Sequence, residues 1–177
     1  MTLREVGEVE PVVIIAIVED RPGVLYKVSS IIRRAGVNID AITVARTVED
    51  GVSRMTFLIN TTRGKAEYLA RQIEKVPTVI AVGWHLLKDV HSLEVMLARI
   101  SLGDDRHDRR ELALLAKTLS LKILEETANN MVVAAVGSPE EVERVIELLM
   151  SKFKILDLAR SGPTALTEVG RAWPESF

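Results

Sequence analysis

One stretch limits the fold more than any other: Val12–Val44, VVIIAIVEDRPGVLYKVSSIIRRAGVNIDAITV. Val12–Val18 is an unbroken apolar run, short and rich in β-branched residues, which reads as a central strand buried on both faces. Asp20-Arg21-Pro22-Gly23 is a turn, with Asp20 placed to cap the following helix and Pro22 tolerated at its start. Val24, Leu25, Val28, Ile31, Ile32 and Ala35 then recur at helical spacing, so one stripe of that helix faces a core. Gly36 stands where a glycine ends a helix, and Val37 opens a second strand running to Arg46.

The same punctuation continues. Glu49-Asp50-Gly51 supplies a turn, and Val52–Asn60 alternates as a third strand. Thr61-Thr62-Arg63-Gly64 leads into a second helix carrying Ala66, Leu69, Ile73 and Val76 on one face, with Pro77 just beyond it. Val79–Leu87 is a fourth strand. The order β-α-β-β-α-β predicts a four-stranded antiparallel sheet with both helices on one face, a ferredoxin-like unit.

After a polar joint at Lys88–Ser92 the order repeats. Leu93–Leu102 is strand-like, and Arg106–Thr118 is a helix whose stripe is Leu112, Leu115, Ala116 and Leu119. Ser120–Glu126 and Met131–Val136 are strands around a turn at Ala128-Asn129-Asn130. Ser138, Pro139 and Glu141 form a capping box before a helix with Val142, Val145, Ile146 and Leu149 inside. Phe153–Ala159 is the last strand, and Gly162–Phe177 reads as a loose tail, as does the polar segment before Pro11. The expected fold class is α+β: two tandem ferredoxin-like βαββαβ units, residues 1–88 and 89–177. The repeat is one of element order, without matching side chains at a fixed period.

Composition narrows the functional classes. A chain of 177 residues with 47% hydrophobic and 27% charged residues is globular in character, and with only 4% aromatic residues its core must be aliphatic. A net charge of −2 offers no basic footprint for nucleic acid. With no cysteine there is no disulfide, thiolate metal site or cysteine nucleophile, as expected in a reducing cytoplasm. The N-terminal residues lack the apolar segment of a secretory leader, and no apolar run reaches the roughly 18 residues of a membrane span.

Catalytic patterns are missing. His85, His91 and His107 are scattered, with no ligand pair one helical turn apart. Thr61–Lys65 ends in Gly-Lys but lacks the first glycine of a phosphate loop. The acidic cluster Asp104, Asp105 and Asp108 is neutralised in place by Arg106, Arg109 and Arg110, and reads as a solvated helix start. The expectation is therefore no catalytic residue, no metal and no cofactor on this chain.

What remains is the opening turn. A helix start offers free N–H groups, which is a generic anion site, and a plain strand-to-helix connection would look the same. Asn38 can likewise serve only its own turn. A small zwitterion would nevertheless suit these residues together. Its carboxylate could meet the N–H groups of Gly23, Val24 and Leu25, and its ammonium Asp20 or the Asn38 side-chain carbonyl. An aliphatic side chain could lie on Leu25, Ile39 or Ile42. This reading takes the first turn and the start of the second strand to lie at the same end of the sheet.

The residues also carry a resemblance. Val18-Glu19-Asp20-Arg21-Pro22-Gly23-Val24-Leu25 and Ala35-Gly36-Val37-Asn38-Ile39-Asp40-Ala41-Ile42-Thr43-Val44 resemble the opening of an ACT domain. Ser53-Arg54-Met55-Thr56 and Ile155-Leu156-Asp157-Leu158-Ala159-Arg160-Ser161-Gly162 narrow it to the small, regulatory subunit of acetolactate synthase, over about residues 12–170. The resemblance implies a chain without catalysis of its own that binds and activates the thiamine-diphosphate-dependent large subunit. It also implies feedback inhibition by valine or another branched-chain amino acid, in isoleucine and valine biosynthesis. Thiamine diphosphate, magnesium and FAD would sit only on the large subunit. ACT domains would pair side by side in a homodimer, with the effector at their interface. The family's binding positions map onto Asp20, Gly23 and Asn38, with Pro22 in the same turn and backbone from Val24, Leu25 and Ile39.

Two departures stand out: many members have Asn in place of Asp20, and Ser92-Leu93-Glu94-Val95 replaces a Glu-Arg-Glu run. Two other readings remain open on sequence: a stand-alone ACT sensor acting on a different protein, and a small enzyme on the same fold, which lacks a visible acid–base group.

Overall fold

The computed structural model describes residues 7–103 and 106–168. Two compact units emerge: one runs to Ser92 and resumes at Thr164, and the other is Leu93–Pro163. The division expected at residue 88 from the joint's polarity thus falls slightly later. The expected second unit also does not keep the chain after Pro163.

The first unit is built on β1 (Glu10–Glu19), whose Val12, Val13, Ile14, Ile15, Ala16 and Val18 are wholly inaccessible to solvent. The run is continuous because both faces are covered. Around it stand α1 (Val24–Arg34), β2 (Ala41–Arg46), β3 (Val52–Thr61), α2 (Arg63–Glu74) and β4 (Val79–Leu86), with sheet order β2-β3-β1-β4. Both β2 and β4 are edges. The helix-facing core joins Val12, Ile14, Ala16 and Val18 to Met55, Phe57 and Ile59 of β3, Val24, Val28 and Ile32 of α1, and Ala66, Leu69 and Ile73 of α2. The opposite face buries Val13 and Ile15.

A single helical turn at Leu87–Asp89 leads to the second unit's elements: β5 (Val90–Ser101), α3 (Arg106–Thr118), β6 (Lys122–Glu126), β7 (Asn130–Gly137), α4 (Pro139–Lys152) and β8 (Lys154–Arg160). Its strands run β6-β7-β5-β8, and a short β9 (Thr164–Thr167) also pairs with β5. Its core packs Met96, Ala98 and Ile100 against Leu112, Ala116, Val133, Val142, Ile146 and Leu149. The capping box of α4 is formed, with the Ser138 side chain on the Glu141 amide and the Glu141 side chain on the Ser138 amide. The fold is the expected α+β pair of ferredoxin-like units.

Several expectations are corrected. Asp20 does not cap α1: the N-cap is Gly23, at φ 85°, with no side-chain hydrogen bond. The second strand begins at Ala41 rather than Val37, because Gly36, at φ 69°, turns the chain and Asn38 and Asp40 hydrogen-bond to each other. Val90–Ser92 belong to β5 rather than to a joint. Glu10 and Pro11 are in β1, where the Glu10 carboxylate meets both Arg63 (3.0 Å) and Lys88 (2.8 Å). The segment read as a loose tail contains β9, with Gly162, Pro163 and Ala165 buried. Residues 1–6, Asp104, Asp105 and the tail from residue 169 lie outside the described residues.

Candidate functional site

Asp20, Arg21, Pro22 and Gly23 are all exposed. Gly23 adopts the left-handed conformation, which lets the chain turn sharply from β1 into α1. The Val24 amide is drawn towards the Arg21 carbonyl at 3.4 Å. Of the three N–H groups expected to meet an anion, Gly23 and Leu25 are therefore the better placed. Leu25 is 42% exposed although it belongs to the apolar stripe of α1.

Asp20 is held at two points by the β2–β3 hairpin. Its amide donates to the Gly51 carbonyl at 2.7 Å, and its carboxylate accepts from Arg46 Nε at 3.1 Å. The pair offsets part of the negative charge that Asp20 brings to this turn. Arg46 was not visible as a site residue in the sequence, since nothing in its spacing relates it to Asp20.

Asn38 is also exposed, in the loop before β2. Its amide nitrogen donates to Asp40 Oδ1 at 3.1 Å, and Asn60 donates to Asp40 Oδ2 at 2.8 Å. That bond uses one N–H of the Asn38 side-chain amide. Ile39 is half-buried against the core.

The two groups of residues do not meet within one chain. Both β1 and β2 run antiparallel to β3, so they are parallel to each other. The end of β1 carries Asp20 and Gly23, while the start of β2 carries Asn38 and Ile39. Asp20 N–H binds the Gly51 carbonyl and Asp40 N–H binds the Leu58 carbonyl. At about 3.3 Å per strand residue, that stretch of β3 separates them by about 23 Å. The expectation that they share one end of the sheet is overturned: the crossover helix α1 carries the chain back before β2 begins.

The edge strand β2 leaves apolar side chains uncovered on the helix side of the sheet. Ile42 lies opposite Phe57 and Val44 opposite Met55, whose side chains are in the helix-facing core. Yet Ile42 is 37% and Val44 46% exposed. Each chain thus presents two candidate half-sites, the Asp20–Gly23 turn and the Asn38–Ile39 loop, at opposite ends of an apolar edge strand.

Comparison with known proteins agrees with this architecture. Residues 14–81 match the model of the AHAS small subunit-like ACT domain, and residues 93–169 that of the small subunit of acetolactate synthase. A probable acetolactate synthase small subunit of Methanothermobacter thermautotrophicus is 30% identical over 160 residues, covering 90% of this chain and 94% of that one. The acetolactate synthase small subunit of Mycolicibacterium smegmatis is 28% identical, covering 85% and 87%. The crystal structure of the small subunit from Thermotoga maritima superposes with a TM-score of 0.80 at 25% identity, over 90% of this chain and 98% of that one. In sequence across both units and in fold, the chain belongs to the acetolactate synthase small-subunit family.

Proposed function

We propose that this chain is the regulatory, non-catalytic partner of an acetolactate synthase large subunit. It raises the activity of that thiamine-diphosphate-dependent chain and makes it responsive to valine or a related branched-chain amino acid, in isoleucine and valine biosynthesis. It acts as a homodimer. The observation that carries the effector reading is the separation of the half-sites. If two β2 edges pair antiparallel about a twofold axis, the Asn38 end of one strand meets the Arg46 end of the other. One chain's Asp20, Gly23 and Leu25 then face the partner copy's Asn38 and Ile39 loop across an apolar seam. An amino acid fits such a junction: ammonium to Asp20 and the Asn38 carbonyl, carboxylate to the α1 amides, side chain to the seam.

The test is the activity of the cognate large subunit, with and without this protein, across a valine titration. Stimulation by this chain and its loss as valine rises are expected. No stimulation at any ratio would defeat the partner reading. Stimulation insensitive to valine, isoleucine and leucine would defeat the effector reading alone.

A further inference from the structure

The outer face of the first unit's sheet, away from the helices, carries an arginine in an unusual setting. Arg54 lies on β3, opposite Ile17 of β1 and Ala45 of β2. It is half-buried, and burial lowers its pKa. Among the described residues no carboxylate pairs with it. Its Nη2 donates to the carbonyl of Ala165 at 2.7 Å, while its Nε is buried without a hydrogen-bond partner. Ala165 belongs to β9 and packs beside Val13 and Ile15, with Leu58, Leu87 and Val90 around it. The strand, which pairs with β5, is thus a strap over the outer face, and Arg54 is the side chain of β3 that fastens it.

A half-buried cation held by one neutral carbonyl is poor value for stability alone. Burial disfavours the charge, and a buried N–H with no acceptor costs free energy. An apolar residue would serve the packing better. What Arg54 has instead is position. Three contiguous contacts connect it to the effector turn: Asp20 N–H on the Gly51 carbonyl at the head of β3, the Asp20 carboxylate on Arg46, and Arg46 opposite Ser53, the neighbour of Arg54. On its other side, the strap continues through Gly162 and Pro163 into β8.

We propose that Arg54 is a positioning residue that couples the Asp20 turn to the β9 strap. A change in how the turn is held alters the β2–β3 hairpin and with it the hold of Arg54 on Ala165. The effector's own part in this rests on the function proposed above, but the coupling itself can be tested without a ligand.

The test is amide hydrogen exchange of the strap, residues 164–167, in the full-length dimer. Arg54→Met and Arg54→Lys remove the planar donor, and thermal melts identify either variant that fails to fold. Both should speed strap exchange, with Lys keeping the charge but not the reach to Ala165. The decisive arm is a double-mutant cycle. Asp20→Ala should speed strap exchange by about two- to fivefold in the wild-type background, the range that loss of one exposed ion pair can transmit. It should have no such effect in an Arg54→Met background. Unchanged strap exchange in Asp20→Ala, or an equal effect in both backgrounds, overturns the proposal.

A ligand arm adds valine to the wild type. Saturating valine should slow strap exchange, and Arg54→Met should weaken valine binding in calorimetry, because coupling between two sites acts in both directions. Valine that binds but leaves strap exchange unchanged would also overturn it. Absence of binding of valine, isoleucine and leucine alike would instead defeat the effector reading, and the cycle would still decide the coupling.

Discussion

At the scale of single residues, the contacts of Asp20 and Asn38 separate two kinds of role. Asp20 was expected to cap a helix, and its carboxylate instead neutralises Arg46 across the hairpin. Exposed ion pairs contribute only about 0–1 kcal/mol, so this pair does little for the fold. Asn38 makes a single short-range contact with Asp40. Replacing it with Ala should leave stability and activation of the large subunit nearly unchanged. The valine concentration giving half-inhibition should rise about ten- to a hundredfold, the equivalent of one charge-assisted hydrogen bond of about 1.5–3 kcal/mol. An unchanged inhibition curve in the reconstituted assay would remove Asn38 from the site. Glu94 has the opposite character. Its side chain is 2% exposed and pairs with Arg160 at 2.6 Å, which also reaches Glu143 at 2.5 Å. Burial works against the Arg160 charge, but the hydrogen bonds to Glu94 and Glu143 outweigh it and raise its pKa. Arg160→Met strands a buried carboxylate and should cost about 3 kcal/mol in denaturant unfolding, whereas Glu143→Gln should cost less than about 1 kcal/mol.

At the scale of elements, three carboxylates act as clasps. Glu10 ties the start of β1 to Arg63 at the start of α2, Glu111 of α3 reaches Lys152 at the end of α4, and Glu141 closes the cap of α4. All three have pKa values below the ordinary 4.5: Glu10 through Lys88 and Arg63, Glu111 through Lys152, and Glu141 through the Ser138 amide. A carboxylate with a depressed folded-state pKa stabilises above its unfolded value and loses that contribution as pH falls through the folded one. The melting temperature should therefore hold at neutral pH and fall below about pH 4.5, and Glu10→Gln should flatten that fall. An unchanged acid limb in the variant would show that Glu10 is no clasp.

These elements also mark what the sequence could reveal. The strands, helices and cap of α4 follow from periodicity and from Ser138-Pro139-Glu140-Glu141, because local chemistry decides them. The span of α3 agrees to the residue. Asp20 was misread because Gly23 takes the left-handed turn that a side-chain cap would otherwise secure. The start of β2 was misplaced because Asn38-Ile39-Asp40 looks strand-like until Asn60, distant in sequence, captures Asp40. The strap was missed for a similar reason: it is held by β5 and by the Arg54 guanidinium, both far away in the chain, which no local pattern reports.

At the scale of the whole molecule, the proposed site requires two groups of residues about 23 Å apart in one chain to come together. The sheet's own topology decides how. Since β1 and β2 are parallel, no rearrangement within one chain brings Asn38 to Gly23 without dismantling the sheet. A second copy joined along β2 does so by symmetry alone. The edge is suited to this, because unpaired backbone groups on β2 stand beside exposed Ile42 and Val44. A charge placed on that seam should separate assembly from folding. Val44→Lys puts two like charges near the twofold axis, since Thr43 and Val44 are the middle of β2, while the core beneath keeps Met55 and Phe57 in place. Light scattering should show a shift from dimer towards monomer, with circular dichroism unchanged. Valine binding by calorimetry should be lost together with the dimer, while Asp20, Gly23, Asn38 and Ile39 are all left unaltered. A monomeric Val44→Lys protein that still bound valine with wild-type affinity would mean that one chain suffices, and the shared site would have to be abandoned.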